Sequence, residues 1–374
     1  MPQAATRAMP HELSPRHLRR RLLQLGLLVV LVALIVWLTP GLGELRNRLD
    51  RAGAGWLGAA FVAELLSTLS YVVIFQAVFC ARMSWQTSYQ IGMAEQAANA
   101  LVPAGGAGGL ALGAWALSRG GMSAGHIARR TVAFFLLTSL ANVGTVVVFA
   151  AAFAAGIAGH DTQPVFTYAF GAAGLVAITL TLAVPRIVRS ESRSASPESS
   201  GRVRNLWRRA TNTLSGGVRD SRSLLRTRPV GTLVGSFGYM GFDIAVLGLC
   251  YRAFGYTPPF AVLVFAYLIG QLGGLLPLPG GIGGIEGGLL GTFALYHVPL
   301  AASGAAVIAY RALQLWIPGA LGSVAFVQLR SKLRRESQPA TICSPLAEPI
   351  DLPKAPRGRP RPARRDAHAD RAPR

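Results

Sequence analysis

Apolar residues in this chain fall in long blocks, at about 22–39, 56–81, 86–118, 131–156, 164–184, 230–252, 260–297 and 300–329. A bilayer core is crossed by roughly 17 to 25 such residues in a helix. The pattern therefore predicts an all-α polytopic membrane protein. Two blocks are interrupted. Block 86–118 holds Glu95, Gln96 and Asn99 and then Pro103-Ala-Gly-Gly-Ala-Gly-Gly, and block 260–297 breaks at Pro277-Leu-Pro-Gly-Gly-Ile-Gly-Gly-Ile-Glu286. Irregular backbone and charge at membrane depth are tolerated only against protein or an aqueous cavity.

If every block crossed once, the loop 119–130 with Arg119, Arg129 and Arg130 would face outward, as would the arginine-dense segment 185–229. That opposes the positive-inside rule. Reading 86–118 as a re-entrant hairpin from the cytoplasm returns both segments, and the tail after Gln328, to the inside. Block 260–297 then becomes a hairpin entering from the outside. The expected architecture is six full spans plus two re-entrant helical hairpins in an inverted repeat. Its parts are a cytoplasmic N-terminus (1–21), a first repeat (22–184), a basic cytoplasmic segment (185–229), the remaining second-repeat spans (230–330) and a cytoplasmic tail (331–374).

The glycines of Gly105–Gly109 recur at Gly280–Gly284, an offset of 175 that also relates 56–81 to 230–252 and 131–156 to 300–329. Inverted repeats with broken helices at the midplane are a recurrent transporter design, although small-residue packing surfaces also recur in membrane helices. Within 185–229, Val203, Leu206, Trp207, Ala210 and Leu214 have helical spacing among arginines. That fits an amphipathic helix on anionic headgroups or a solvated, topology-setting loop. From Glu336 onward, Pro, Arg and Ala dominate without periodicity, which predicts disorder.

Composition agrees: hydrophobic residues make up 51% and charged residues 14%, and mean hydropathy is +0.40. A net charge of +21 on a soluble surface would suggest nucleic acid. Here the basic residues cluster between apolar blocks, so no nucleic-acid partner is expected. The run Leu22–Leu38 is followed by Thr-Pro-Gly rather than a small-residue cleavage site, so it reads as a span. Cys80, Cys250 and Cys343 are isolated, which suggests buried thiols and a tail cysteine rather than a disulfide framework or zinc site.

A charge at a helix centre costs about 2.5–3.5 kcal/mol on insertion scales, so Glu64, Glu95, Asp243, Glu286 and Arg311 each require a partner or water. Arg311 lies about eleven residues into its block, roughly 16 Å deep at ~1.5 Å per residue, near the midplane of a ~30 Å core. Glu286, just past the second break, can reach the same depth and pair with it. The pair either locks the hairpin to the last helix or also holds a phosphate or other anionic headgroup on Arg311. Gly280, Gly281, Gly283 and Gly284 permit close approach and place backbone N–H groups at a half-helix start. The shifted equivalents of Glu286 and Arg311 are apolar, so function is expected to be asymmetric. Glu64 and Asp243 occupy repeat-equivalent spans and are expected to line one cavity. Glu95 and Asn99 stand before the first break, beside Gly105 and Gly106. Pro103, Pro277, Pro279, Trp316 and Pro318 read as structural, marking breaks, a kink and close packing. With no Gly-Lys-Ser/Thr, Gly-x-Ser-x-Gly or His-Glu-x-x-His, the chain is expected to be no enzyme and to carry no cofactor or metal.

Pro279-Gly-Gly-Ile-Gly-Gly-Ile-Glu286, then Tyr310-Arg311, Trp316, Pro318 and Gly322, resembles the C-terminal signature of the lysylphosphatidylglycerol synthase transmembrane, or flippase-like, family. Asn99 and Pro103-Ala-Gly-Gly-Ala-Gly-Gly resemble its first-half motif. The sequence departs from that motif at Gly108-Gly109-Leu110, where members often carry Gly-Glu and later a basic residue. Over residues 20 to 330 the resemblance implies the lipid-translocating membrane part without a fused aminoacyltransferase, in a bacterial-type cytoplasmic (inner) membrane. Both termini would be cytoplasmic. Its substrates would be anionic or modified phospholipids or isoprenoid- or hopanoid-type lipids, with a separately encoded lipid-modifying enzyme as a possible partner. Two other readings stand beside translocation: a non-transporting membrane partner of a lipid glycosyl- or aminoacyl-transferase, and a secondary transporter of a small anion.

Overall fold

The computed structural model describes residues 52–102, 107–157, 164–194, 202–276 and 278–335. The span expected at 22–39, Pro103, Gly105, Gly106, Pro277 and the tail from 336 lie outside the described residues. All regular structure among the described residues is helical: α1 (Ala54–Phe79), α2 (Trp85–Leu101), α3 (Ala107–Arg119), α4 (Ala124–Ala154), α5 (Pro164–Ser194), α6 (Arg202–Thr227), α7 (Pro229–Ala253), α8 (Phe260–Gly273), α9 (Gly284–Leu295) and α10 (Leu300–Arg335). A single 3₁₀ turn, Pro279–Gly281, sits between α8 and α9.

Five of these are long and apolar enough to cross a membrane: α1, α4, α5 over Pro164–Thr181, α7, and α10 over Leu300–Lys332. The interrupted blocks become two helix–break–helix units. Their arms have 17 and 13 residues (α2, α3) and 14 and 12 residues (α8, α9). At ~1.5 Å per residue every arm is shorter than a ~30 Å hydrocarbon core. Ser84 and Ser123 accept from the backbone N–H of Thr87 and His126 and so cap the first turns of α2 and α4. Proline at the first position of α7 leaves no extra unsatisfied donor there.

Small residues set how closely the helices approach. α1 and α7 run antiparallel, tied at one end by the Gly53 N–H to the Ala253 carbonyl (2.8 Å). A Cβ on Gly235 would meet the Ile74 backbone at 2.6 Å, so the two backbones touch there. α10 lies on α2, where a Cβ on Gly322 would collide with the Met93 carbonyl oxygen. The arms α8 and α9 cross where Gly273 meets Gly284. Pro318 sits inside α10, and the helix continues through it. Trp316 packs against the cluster formed by Ala94, Ala98, Leu101, Leu112 and Phe326.

Large apolar side chains stay exposed on the outer faces of the spans, among them Val148, Leu175, Leu180, Val234, Val324 and Val327. Surface of that kind on membrane-length helices faces lipid. The segment 185–229 is helical over Arg202–Thr227, longer than the periodicity suggested. α6 docks on α4 through Gly216 and Gly217, where added Cβ atoms would strike Arg129 and Val132. Ser215, Val218, Ser221 and Leu224 are buried, whereas Ala210 and Leu214 of the expected apolar face remain exposed. Cys250 is a free, buried thiol, as expected, but Cys80 is disulfide-bonded. That corrects the reading of Cys80 as a buried thiol, because spacing alone carries no trace of a pairing.

The glycine contacts give a stability prediction. Gly322→Val should destabilise the purified protein by on the order of 1–3 kcal/mol, the usual cost of overpacking. Gly319→Ala, where a Cβ would meet nothing within 4 Å, should be neutral or slightly stabilising. Thermal unfolding in detergent reads both; equal stability of Gly322→Val and the parent would refute the close α2–α10 contact.

Candidate functional site

Three charged residues share one level of the bundle because of where their helices begin and end. Glu64 is ten residues from the start of α1, Asp243 ten before the end of α7, and Arg311 eleven from the start of α10. Those ends are adjacent: Gly53 bonds Ala253, and the Tyr251 hydroxyl donates to Ser303 Oγ at 2.9 Å. Each charge therefore lies about 15 Å in, at ~1.5 Å per residue. Glu64, Asp243 and Arg311 are 2%, 2% and 5% exposed.

Arg311 is the centre of the second-half site. Its Nε donates to Glu286 Oε1 at 2.7 Å, one terminal nitrogen to Gln314 Oε1, and the other to the Gly280 carbonyl. The expected ion pair is present, with Glu286 the more exposed partner. A guanidinium suits this position because its planar fork can serve several acceptors at once. Of its five N–H groups three are used, which leaves two donors.

The glycine run makes those contacts possible. Gly280, Gly281 and Gly283 adopt φ of 57°, 67° and 88°, the left-handed region that side chains disfavour. Gly284 instead serves the crossing with Gly273. The turn aims the Gly280 carbonyl at Arg311 and brings Gly280 against the Ala100 carbonyl, so it meets the C-terminal end of α2. At the start of α9, Glu286 Oε2 accepts from the Gly283 N–H at 2.7 Å. A carboxylate thus already occupies the helix N-terminus that the sequence reading offered to a ligand anion.

Asp243 is the second centre. Its Oδ2 accepts from the hydroxyls of Tyr267 (2.8 Å) and Tyr310 (3.2 Å) and from Gln314 Nε2 (3.0 Å). Gln314 therefore joins Arg311 to Asp243, and Gln271 Nε2 extends the chain to the Tyr310 hydroxyl at 3.4 Å. In the first half, Tyr71 donates to Glu95 Oε2 at 2.9 Å, and Asn99 Oδ1 accepts from the Gly109 N–H at 2.7 Å in the first turn of α3.

A cavity of about 210 Å³ opens among these groups. Of the residues expected from the sequence, Glu64, Asp243, Arg311, Asn99, Gly280, Gly281 and Pro318 line it. Glu286 stands behind Arg311. Gly283 and Gly284 shape the turn without lining the cavity, and Pro279 opens the 3₁₀ turn. Glu95 is set apart, bonded to Tyr71 and pressed on Gly113, where a Cβ would overlap its carboxyl group. Sequence reasoning missed Ser67, Tyr71, Gln96, Tyr239, Gln271 and Gln314 as lining residues. Gln314 had a readable signal, one helical turn after Arg311. The tyrosines had none, because a phenol in an apolar block resembles any other aromatic. Among the described residues no cluster of His, Cys, Asp or Glu could hold a metal ion.

A family model described as "Lysylphosphatidylglycerol synthase TM region" matches residues 23–322. A UPF0104 membrane protein of Methanothermobacter thermautotrophicus is 28% identical over 130 residues, which is 34% of this chain and 39% of that protein. The chain thus spans well under half the length of that curated relative. No solved structure matches. The matched region contains both helix breaks and every described cavity residue from Glu64 to Pro318. On that match, the chain belongs to the lysylphosphatidylglycerol synthase TM region family.

Proposed function

We propose that this protein moves a polar lipid, with an anionic or modified headgroup, between the leaflets of a cytoplasmic membrane. The observation that carries the reading is a polar cavity at mid-membrane level whose neighbouring hairpin break is apolar and open. Leu272, Leu275 and Leu276 are at least half exposed, and Leu278, also exposed, lines the cavity. A headgroup can sit among Arg311, Asn99, Gln271 and Gln314 while the acyl chains stay against those leucines and the bilayer. At about 210 Å³ the cavity is below the ~300–1,000 Å³ of a drug-sized ligand site, which suits a headgroup and not a whole lipid. The two unused N–H groups of Arg311 are the donors for its phosphate.

The proposed topology is the inverted repeat with two re-entrant hairpins and cytoplasmic termini. Three pairings support it. Ser67 Oγ donates to the Tyr239 carbonyl, two residues 172 apart that face each other from α1 and α7. The same 172 separates Tyr71 from Asp243 and Glu95 from Tyr267, so the two acid–phenol bonds, each spanning 24 residues, occupy equivalent positions. In the first half the span supplies the phenol and in the second the carboxylate. Arms too short to cross the core, meeting tip to tip, fit hairpins from opposite faces. The match to a synthase membrane region supports a modified phospholipid as the substrate.

Two experiments test this reading. Arg311→Ala, and equally Arg311→Lys, which offers a point charge in place of a planar fork, should lower leaflet exchange of labelled phosphatidylglycerol in proteoliposomes by at least about tenfold, the loss of ~1.4 kcal/mol or more. Unchanged exchange in a folded variant would refute the site. For topology, single cysteines placed at 119–130 should react with impermeant maleimide from the cytoplasmic side only; labelling from outside would remove the first hairpin and the inverted repeat together.

A further inference from the structure

Two buried carboxyl oxygens have no hydrogen-bond partner: Glu64 Oε2 and Asp243 Oδ1. An unpaired acceptor inside a protein is costly, more so if charged, so two of them together mark a place where a donor can bind. Both residues line the cavity beside Arg311. The register of α1 against α7 sets them opposite each other. Gly231 faces Ala77, Gly235 faces Ile74, Gly238 faces Ser70 and Tyr239 takes the bond from Ser67. Continuing the antiparallel register one turn brings Asp243 to the level of Glu64, and both line the same cavity.

Charge balance defines what that donor must be. Arg311 is the only basic residue among the described residues lining the cavity, and Glu286 already neutralises it. Ionised together, Glu64 and Asp243 would leave two negative charges in a low-dielectric wall and would repel an anionic headgroup. The groups facing Glu64 give no relief. α7 presents Asp243, Tyr239 and the Cys250 thiol, α10 presents Tyr310 and Arg311, and Tyr71 of α1 is committed to Glu95 of α2. The basic residues His126, Arg129 and Arg130 of α4 lie in its first two turns, at the end where Phe134 meets Phe79 and away from the level of Glu64. Asp243 Oδ2 already accepts from three donors, so Oδ1 is the oxygen open to a further one. What the opposed pair lacks is one positive particle small enough to lie between two acceptors.

We propose that Glu64 and Asp243 form a proton-binding pair, with one proton held between Glu64 Oε2 and Asp243 Oδ1, whose loading admits an anionic headgroup beside Arg311. Two close carboxyl groups sharing a proton are a known arrangement of acids that cannot both ionise. The proton enters from water on one side, travels with the headgroup, and leaves to water on the other side. An anionic lipid and a proton cross together without net charge, so the pH gradient rather than the membrane potential drives the step. This inference rests on the proposed headgroup site.

Infrared difference spectroscopy on the purified protein in nanodiscs, together with a gradient assay, tests it. At neutral pH the wild type should show a protonated-carboxyl carbonyl band that shifts in deuterium oxide, and Glu64→Gln and Asp243→Asn should each remove it. In proteoliposomes with labelled phosphatidylglycerol, a gradient of one pH unit should bias the steady-state leaflet ratio by up to about tenfold for one proton per lipid. Both variants should lose that bias. Absence of the band in the wild type overturns the proton pair whatever the lipid does. Exchange whose leaflet ratio ignores the gradient overturns the coupling while leaving the headgroup site standing. A wild type that exchanges no lipid, but keeps a band that either variant removes, overturns the headgroup reading and leaves the pair as a proton site.

Discussion

The structure depends on a single demand: a guanidinium buried inside the helix bundle must have acceptors placed for it. Arg311 obtains them from three sources, the Glu286 carboxylate, the Gly280 carbonyl and Gln314. Removing one partner of a buried charged pair typically costs ~3–5 kcal/mol. The break between α8 and α9 is therefore not a flexible insertion but the far half of the arginine's coordination. Its left-handed glycines turn a carbonyl toward the charge, and its carboxylate both caps α9 and pairs with Arg311. Through Gln314 the same demand reaches Asp243, and from there Tyr267, Tyr310 and Gln271.

A tied arginine changes what the cavity can do. A lone buried guanidinium would make a permanent anion trap, whereas one neutralised by Glu286 and faced by Glu64 and Asp243 leaves a cavity whose charge depends on what else is bound. Transport requires that a site be able to release its cargo. For the proposed transport, a site with two spare guanidinium donors and the proposed proton-sharing carboxyl pair meets that need better than one of fixed strong charge.

Much of the fold was legible in the sequence because membrane thickness leaves little freedom. The blocks 56–81, 230–252 and 300–329 became α1, α7 and α10 within a few residues, and both interrupted blocks broke into short arms. Glu64, Asp243, Glu286 and Arg311 stood out because a charge in an apolar block is costly wherever it lies. The polar uncharged contributors did not stand out. Tyr267 and Gln271 are ordinary in a membrane helix until the fold brings the first onto the Asp243 carboxylate and the second onto Tyr310. Glu95 shows the opposite failure: its charge drew attention, yet Tyr71 and the bare Gly113 backbone hold it away from the cavity. The helix N-terminus at α9 misled for a related reason. Its anion is Glu286 of the same chain, a partner three residues away that motif reading assigned only to Arg311.

The proposed function turns on a phospholipid headgroup entering the cavity beside Arg311. The most direct measurement is a structure of the protein in lipid nanodiscs by electron cryomicroscopy, at a resolution that separates headgroup density from water. A phosphate within hydrogen-bond distance of the free N–H groups of Arg311, with acyl density leading past Leu275 and Leu276, is the expected result. A cavity holding only water, with all headgroups remaining at the two membrane surfaces, would contradict it.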